Sequence, residues 1–494
     1  MTPLKDYAGF KHLPPLAGLA DFEEAASPGL SVQECVGRLK RYHYGLQRVW
    51  QTCLARLTAE PIYEIKMGLS HHAHLVAEHI GTIRARVAEM RHPPLGLDAV
   101  PDPQLERCFD EILNAPTTYA LIVGLYGKAM PTILAGMCHH LEDTNLLVDS
   151  PSVRILKHAM AEIEGMIAWG ESAGVALKVD ASEELVAEVA VWLGELDGCL
   201  TAAGGLDGTL EIDAERVSGL PSPRYSAREF VYDSDPKRDE RFQDPYNMGV
   251  HAEVFLHDNR FADRDKVLMM YYRRLREIDV PEMMASILYE MVQAKGDEES
   301  GGYPWKFHQE MTRQLWDEAR HAMMGEVGFA KLGIDWSKLV RINFTWSKGL
   351  NEQLTPKERH AVLWYIEQGQ MGKTGKRYEW EVGRDSGDHF AELIQDYDWA
   401  DEVLHARIGR DWYVKGFEDV AEAAAYGSEC WNKVVSGWEE WKCEGLTEHY
   451  NWWPGLYAEA CRLRGETPDE GTAVYDTSYA DTRADLKRIS GASG

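Results

Sequence analysis

Paired cysteines are missing. The eight cysteines, at 35, 53, 108, 138, 199, 430, 443 and 461, are scattered, and no C-x-x-C occurs. That leaves no dithiol or zinc-ribbon motif and suits the reduced thiols of a cytosolic chain. Excess positive charge is missing too: 52 Lys and Arg face 80 Asp and Glu, a formal charge of −28 spread along the sequence. A surface that tracks phosphates needs the opposite sign, so neither nucleic acid nor an anionic membrane is an expected partner. No apolar run approaches the roughly 18 residues of a membrane span. Met1 to Ala20 also lack the basic flank and apolar stretch of a signal peptide. The expected setting is the cytoplasm. What is present, 494 residues of which 45% are hydrophobic, suffices for two or three cores.

Periodicity predicts helices over Val32–Leu57 and Ile62–Arg91, the second stopped by Pro93-Pro94, then near 117–143, 152–174 and 183–202. These lengths predict an N-terminal helical bundle over 1–202, with a Pro- and Gly-rich first stretch wrapping its surface. Residues 203–262 contain Gly204-Gly205, Pro221, Pro223, Pro236 and Pro245 among many charges and read as a surface linker. Helical periodicity resumes at Asp263 and runs to about 420. Residues 421–494 read as a C-terminal extension of two Trp-rich helices and a polar tail, with disorder expected at its end.

Within 263–420 a motif occurs twice. Asp317-Glu318-Ala319-Arg320-His321-Ala322 and Asp401-Glu402-Val403-Leu404-His405-Ala406 continue to Gly325 and Gly409, so both read D-E-x-x-H-A-x-x-G. Residues three apart share a helix face, so each copy aims one carboxylate and one imidazole at one point. Two such pairs are half of a carboxylate-bridged two-metal site in a four-helix bundle; the other half is one Glu from each of two partner helices. The N-terminal half also has histidines, His71, His72, His74, His79, His139 and His140. None has a Glu three residues before it, and they are expected to be hydrogen-bonded or exposed, without metal.

Counting locates the partner carboxylates. In an antiparallel hairpin, residues equally far from the turn lie at equal height. A turn centred near residue 300, in the loop Gly296–Gly302, places Glu282 opposite the Glu318/His321 pair. A turn at Gly383–Gly387 places Glu367 opposite Glu402/His405. Asp279-x-x-Glu282 with Pro281 is also a helix-start signal, which makes Glu290 the alternative ligand on that helix. The expected ligand set is Glu282, Glu318, His321, Glu367, Glu402 and His405. Asp317 and Asp401 are expected to accept a hydrogen bond from the far nitrogen of a ligand histidine. Four carboxylates and two imidazoles suit two Fe ions, with Mn or mixed Mn/Fe as alternatives. Gly369, Gly372 and Gly375 follow Glu367 and signal a cavity wall, a local distortion or a helix break.

The order Glu, E-x-x-H, Glu, E-x-x-H over 282–409 resembles the ferritin-like di-iron carboxylate superfamily. Asp317-Glu318-Ala319-Arg320-His321 is similar to the D-E-x-R-H motif of bacterial multicomponent monooxygenase hydroxylases, whereas Leu404 departs from it in the second copy. The chain also resembles uncharacterised ferritin-like proteins that carry D-E-A-R-H-A. The resemblance implies an all-α fold with a ferritin-like four-helix bundle over about 263–420. It further implies a di-iron oxidoreductase that activates O2, foremost an oxygenase or hydroxylase of a small organic substrate. The superfamily includes ferroxidases and peroxidases, so a ferroxidase, a peroxide scavenger or a non-catalytic structural protein are the alternatives. Scavengers of the rubrerythrin type carry a four-cysteine site, which this chain lacks. The expected partners are the substrate and O2, an electron-donor protein, and a second copy in a homodimer.

Overall fold

Helices begin where the sequence supplies a cap. Ser31 and Glu34 form a reciprocal capping box, as do Thr355 and Glu358. Asp102, Thr117, Ser182 and Asp388 each accept from a backbone N–H of the first turn they precede. The computed structural model describes residues 4, 7, 9–212, 217–293, 302–433 and 438–479, and all regular structure in them is helical. Residues 294–301, which include most of the expected Gly296–Gly302 loop, and the polar tail from 480 lie outside the described residues.

The chain divides into two compact units, residues 1–53 with 72–232, and residues 54–71 with 233–494. The segment 54–71 thus packs with the C-terminal part, and the expected surface linker is divided between the units at Tyr232/Asp233.

Unit 1 draws on α1 (Val32–Leu57), α2 (Tyr63–Met90), α3 (Pro103–Leu113), α4 (Thr118–Gly124), α5 (Met130–Asp143), α6 (Ser150–Val179) and α7 (Glu183–Ala202). A π-helical turn, Leu125–Ala129, joins α4 to α5. It seats Tyr126 against Gly170 of α6, where an added Cβ would meet the ring at 2.1 Å. Together Thr118–Asp143 is long and apolar enough to cross a membrane by length and composition; 56% of its apolar window is buried inside the protein. The histidines singled out in this half have separate fates. His72 Nδ1 meets Tyr126 Oη at 2.6 Å, His79 pairs with Glu162, and His139 pairs with Asp207.

Unit 2 is built on four rods. The first is α8 (Asp263–Arg276) followed by α9 (Asp279–Gln293), and the second is α10 (Trp305–Lys331). After α11 (Thr345–Gln353), the third rod is α12 (Pro356–Gln370) followed by α13 (Lys376–Asp385), and the fourth is α14 (His389–Trp412). The first rod packs on the second and the third on the fourth; the second also meets the fourth, and the first the third. The glycines that end the repeated motif set two of these approaches. A Cβ on Gly325 would strike the Leu275 nitrogen of α8 at 2.3 Å, and one on Gly409 would strike the Trp364 ring of α12 at 2.1 Å.

Two rods are broken. The first stops at Arg276 and restarts at Asp279, with Glu277 as the C-cap. The third breaks over 371–375, the helix break that is one of the alternatives signalled by Gly369, Gly372 and Gly375. Gly375 lies so near the Gln370 carbonyl that any side chain would meet it at 2.0 Å. The C-terminal part has four described helices where two were expected: Val420–Lys433, Trp438–Cys443, Trp453–Arg464 and Glu470–Ala473.

Candidate metal centre

The two repeated motifs lie on α10 and α14, and their ligand-type atoms converge inside unit 2. Glu318 spans the group. Its Oε2 lies 3.4 Å from His321 Nδ1 and its Oε1 lies 3.2 Å from His405 Nδ1. Around His405 gather Glu318, Glu367 and Glu402, with one ligand-type atom from each of the four residues within 4.8 Å of all the others. Around His321 gather Glu277 Oε2 and Asp398 Oδ1, each 3.4 Å from Nδ1. The arrangement is two adjoining positions that share Glu318.

Both imidazoles present Nδ1 inward and Nε2 outward. His321 Nε2 lies 3.2 Å from Asp401 Oδ2, and His405 Nε2 lies 3.5 Å from Asp317 Oδ2. The pairing is crossed: each motif's aspartate serves the histidine of the other motif. Arg320 donates to both aspartates, to Asp401 at 2.8 Å and to Asp317. Arg313 Nε adds a bond to Asp317 at 2.9 Å. The His321 ring is thereby oriented by a carboxylate that a guanidinium holds, whereas His405 Nε2 makes no hydrogen bond among the described residues.

The inward atoms are buried and have no hydrogen-bond partner among the described residues: Glu277 Oε2, Glu318 Oε1, His321 Nδ1, Glu367 Oε2, Glu402 Oε2 and His405 Nδ1. Buried polar atoms are nearly always satisfied, so six of them facing one region could hold a metal ion. The acid–base state agrees. Burial pushes Glu367 well above the usual carboxylate range, and Glu402 and Glu318 push it the same way. Burial opposes the imidazolium forms, yet the surrounding carboxylates, Asp398 foremost at His321 and Asp317 at His405, overrule it and raise both rings well above the usual value. Glu402 goes the other way: burial would raise it, but Lys376, Glu367 and His405 hold it well below. The carboxylate-rich, two-imidazole set fits Fe or Mn, and it holds no thiolate.

Two cations stand beside the group. Lys376 Nζ lies 2.8 Å from Glu402 Oε1 and 2.9 Å from Asp398 Oδ1. Arg274 reaches Glu277 Oε1 at 2.8 Å, and also Asp398 and Glu379. Both cations are fully buried. They thus answer Glu402 and Glu277 on one oxygen each as well as Asp398, while Glu379 is held by Arg273 too.

Five of the six expected ligands, Glu318, His321, Glu367, Glu402 and His405, are brought together. Glu282 is not. It lies in a different buried group, bound by Lys66 Nζ at 2.5 Å, Arg238 NH2 at 2.9 Å and Ser347 Oγ at 2.9 Å. Glu290 pairs with Arg359. On the first rod it is Glu277, the C-cap after Arg276, that stands beside His321. Asp398, Lys376 and Arg274 were also missed. Asp398 was findable, since it precedes Glu402 by four and His405 by seven and so lies on their face. Lys376 follows the break at Gly375, which the three glycines signal as one alternative, but no spacing pairs it with Glu402 and Asp398. Compared with protein-family models, with curated proteins and with solved structures, the chain matches none.

Proposed function

We propose that unit 2 carries a two-metal carboxylate centre, held by Glu277, Glu318, His321, Glu367, Glu402 and His405 in a ferritin-like bundle. On this reading the protein is a non-haem di-iron oxidoreductase that activates O2 and oxidises a small organic substrate. The observation that carries the reading is the convergence of six buried donor atoms without hydrogen-bond partners. Four carboxylates with two neutral imidazoles balance two divalent cations in charge.

Bound there, an iron pair supplies the redox chemistry with O2. The chain's own residues do the rest. Glu318 offers one oxygen to each position and fixes their separation. Asp317 and Asp401 keep the proton on Nε2 of His405 and His321, so that each Nδ1 presents its lone pair inward. Lys376 occupies Glu402 Oε1 and leaves Oε2 to the centre. Burial excludes bulk water, which strengthens each of these interactions.

Anaerobic Fe(II) titration of the purified chain tests the reading. Two Fe(II) per chain are expected, followed by O2 uptake coupled to a hydroxylated or otherwise oxidised organic product. Stoichiometric Fe(III) formation with no organic product, across a panel of small substrates, identifies a ferroxidase instead. Failure to hold iron or manganese at all removes both readings.

A further inference from the structure

Unit 1 contains another set of ligand-type side chains, independent of the centre in unit 2. Cys35 lies in the first turn of α1, His140 in the last turn of α5, and Asp149 at the start of α6. Cys35 Sγ is 3.2 Å from Asp149 Oδ2 and 3.7 Å from His140 Nε2, and His140 Nε2 is 3.4 Å from Asp149 Oδ2. Tetrahedral zinc, with bonds of about 2.3 Å to sulfur and about 2.0–2.1 Å to nitrogen and oxygen, separates such atoms by about 3.3–3.6 Å. The three observed edges lie within about 0.4 Å of that geometry.

The surroundings point the same way. Asp149 occupies the N-cap position of α6, yet its carboxylate caps no backbone N–H and turns to Cys35 and His140 instead. Arg86 takes its other oxygen, Oδ1, at 3.1 Å and also donates to Ser152 Oγ at 2.9 Å, which fixes the oxygen that faces inward. Without a cation, Cys35, His140 and Thr144 all crowd the single atom Oδ2, Thr144 Oγ1 at 3.2 Å. His140 has no exposed surface. A knot of three donors on one oxygen satisfies these groups less well than a cation between them.

We propose that Cys35 Sγ, His140 Nε2 and Asp149 Oδ2 bind a zinc-class divalent cation, with Ser152 Oγ or a water molecule as the fourth ligand. Binding breaks the Cys35 S–H bond, forms a metal–thiolate bond and releases one proton to solvent. The metal's two positive charges and that of Arg86 then face the thiolate and the Asp149 carboxylate. The site is closed and buried, so its part is structural: it ties the start of α1 to the corner between α5 and α6.

The thiolate separates this site from the centre in unit 2, whose donor set has none. The test is Co(II) titration of the metal-stripped full-length chain, read as thiolate-to-cobalt charge transfer in the near ultraviolet. One equivalent is expected to develop the band and one equivalent of Zn(II) to abolish it. Cys35→Ser is expected to lose the band, and Glu318→Gln to keep it at full intensity. His140→Gln is expected to weaken cobalt binding at least about tenfold and serves as the second variant if Cys35→Ser does not fold. No band in the wild-type chain, or a band that survives Cys35→Ser or is unchanged by His140→Gln, overturns the proposal.

Discussion

Glu282 and Glu367 began as equals, one expected carboxylate ligand from each of two helices. Both are buried, at 0% and 4% exposure, and both lie in unit 2. Their neighbours differ. Glu282 is answered by the chain itself: Lys66 and Arg238 supply charge and Ser347 a hydroxyl. Burial pushes its pKa up, but Arg238 and Lys66 overrule that and hold it low. Glu367 receives one long bond, 3.4 Å from Gln314 Nε2, and its other oxygen has no hydrogen-bond partner. Its nearest charged neighbours include acids, and its pKa rises. A buried acid that the fold neutralises is part of the scaffold. One that has acids for neighbours, as Glu367 has, is what the proposed metal centre needs.

That contrast breaks most sharply at the shared ligand. Glu318→Ala is expected to lose at least one of the two iron- or manganese-class ions of unit 2, together with any O2-dependent activity, as measured by elemental analysis for iron and manganese and by oxygen uptake. Both of those ions retained in Glu318→Ala would undo the assignment. The opposite experiment targets the answered acid. Lys66→Met strands Glu282 with half its compensation and is expected to cost about 3–5 kcal/mol in denaturant unfolding, as for other broken buried pairs. Its metal content, measured where it is still folded, is expected to be that of wild type. A third comparison sharpens the choice between neighbours on one rod. Glu277→Gln is expected to weaken one of the two metals by roughly tenfold or more, an effect of the size seen when metal-site groups are removed. Glu282→Gln is expected to leave both affinities unchanged. The reverse pattern in paired metal titrations would restore Glu282 as a ligand.

The same contrast explains what the sequence could and could not disclose. Helix α1 lies where periodicity placed it, Val32–Leu57, because its apolar spacing and the Ser31/Glu34 box are local signals. The repeated D-E-x-x-H was legible for the same reason, and Glu367 met the count although its rod breaks over 371–375, between it and the turn. Glu282 did not, because a count along the rod gives height and not direction, and this side chain turns to Lys66, Arg238 and Ser347. The cations that neutralise Glu282 come from positions 66 and 238, and spacing says nothing about contacts across that separation. Cys35 and His140 are 105 positions apart and form no motif at all. Local chemistry is written locally; compensation between distant charges is written in the packing.

A third kind of buried acid tests whether compensation requires a cation. Glu111 in α3 is 3% exposed and is answered by neutral donors. The backbone N–H groups of Arg224, Tyr225 and Ser226 donate to it at 2.7, 2.9 and 3.2 Å, the Ser226 hydroxyl at 2.8 Å, and Trp192 Nε1 at 3.1 Å. Burial raises its pKa, but the donors, led by the Tyr225 N–H, overrule it and the net shift is downward. The folded value therefore lies below the unfolded value of about 4.3. The stabilisation is fully present above that pH and is lost as pH falls through the folded value. Amide exchange at 224–226 is expected to be slow at neutral pH and to gain in opening rate, beyond the intrinsic pH trend, as Glu111 takes up a proton. Glu111→Gln turns an N–H donor toward donors, so it should destabilise unit 1 by about 1–3 kcal/mol and remove that acid-dependent component. If the component persists in Glu111→Gln, neutral donors do not suffice to answer a buried acid here. The distinction between Glu282 and Glu367 would then rest on charge alone.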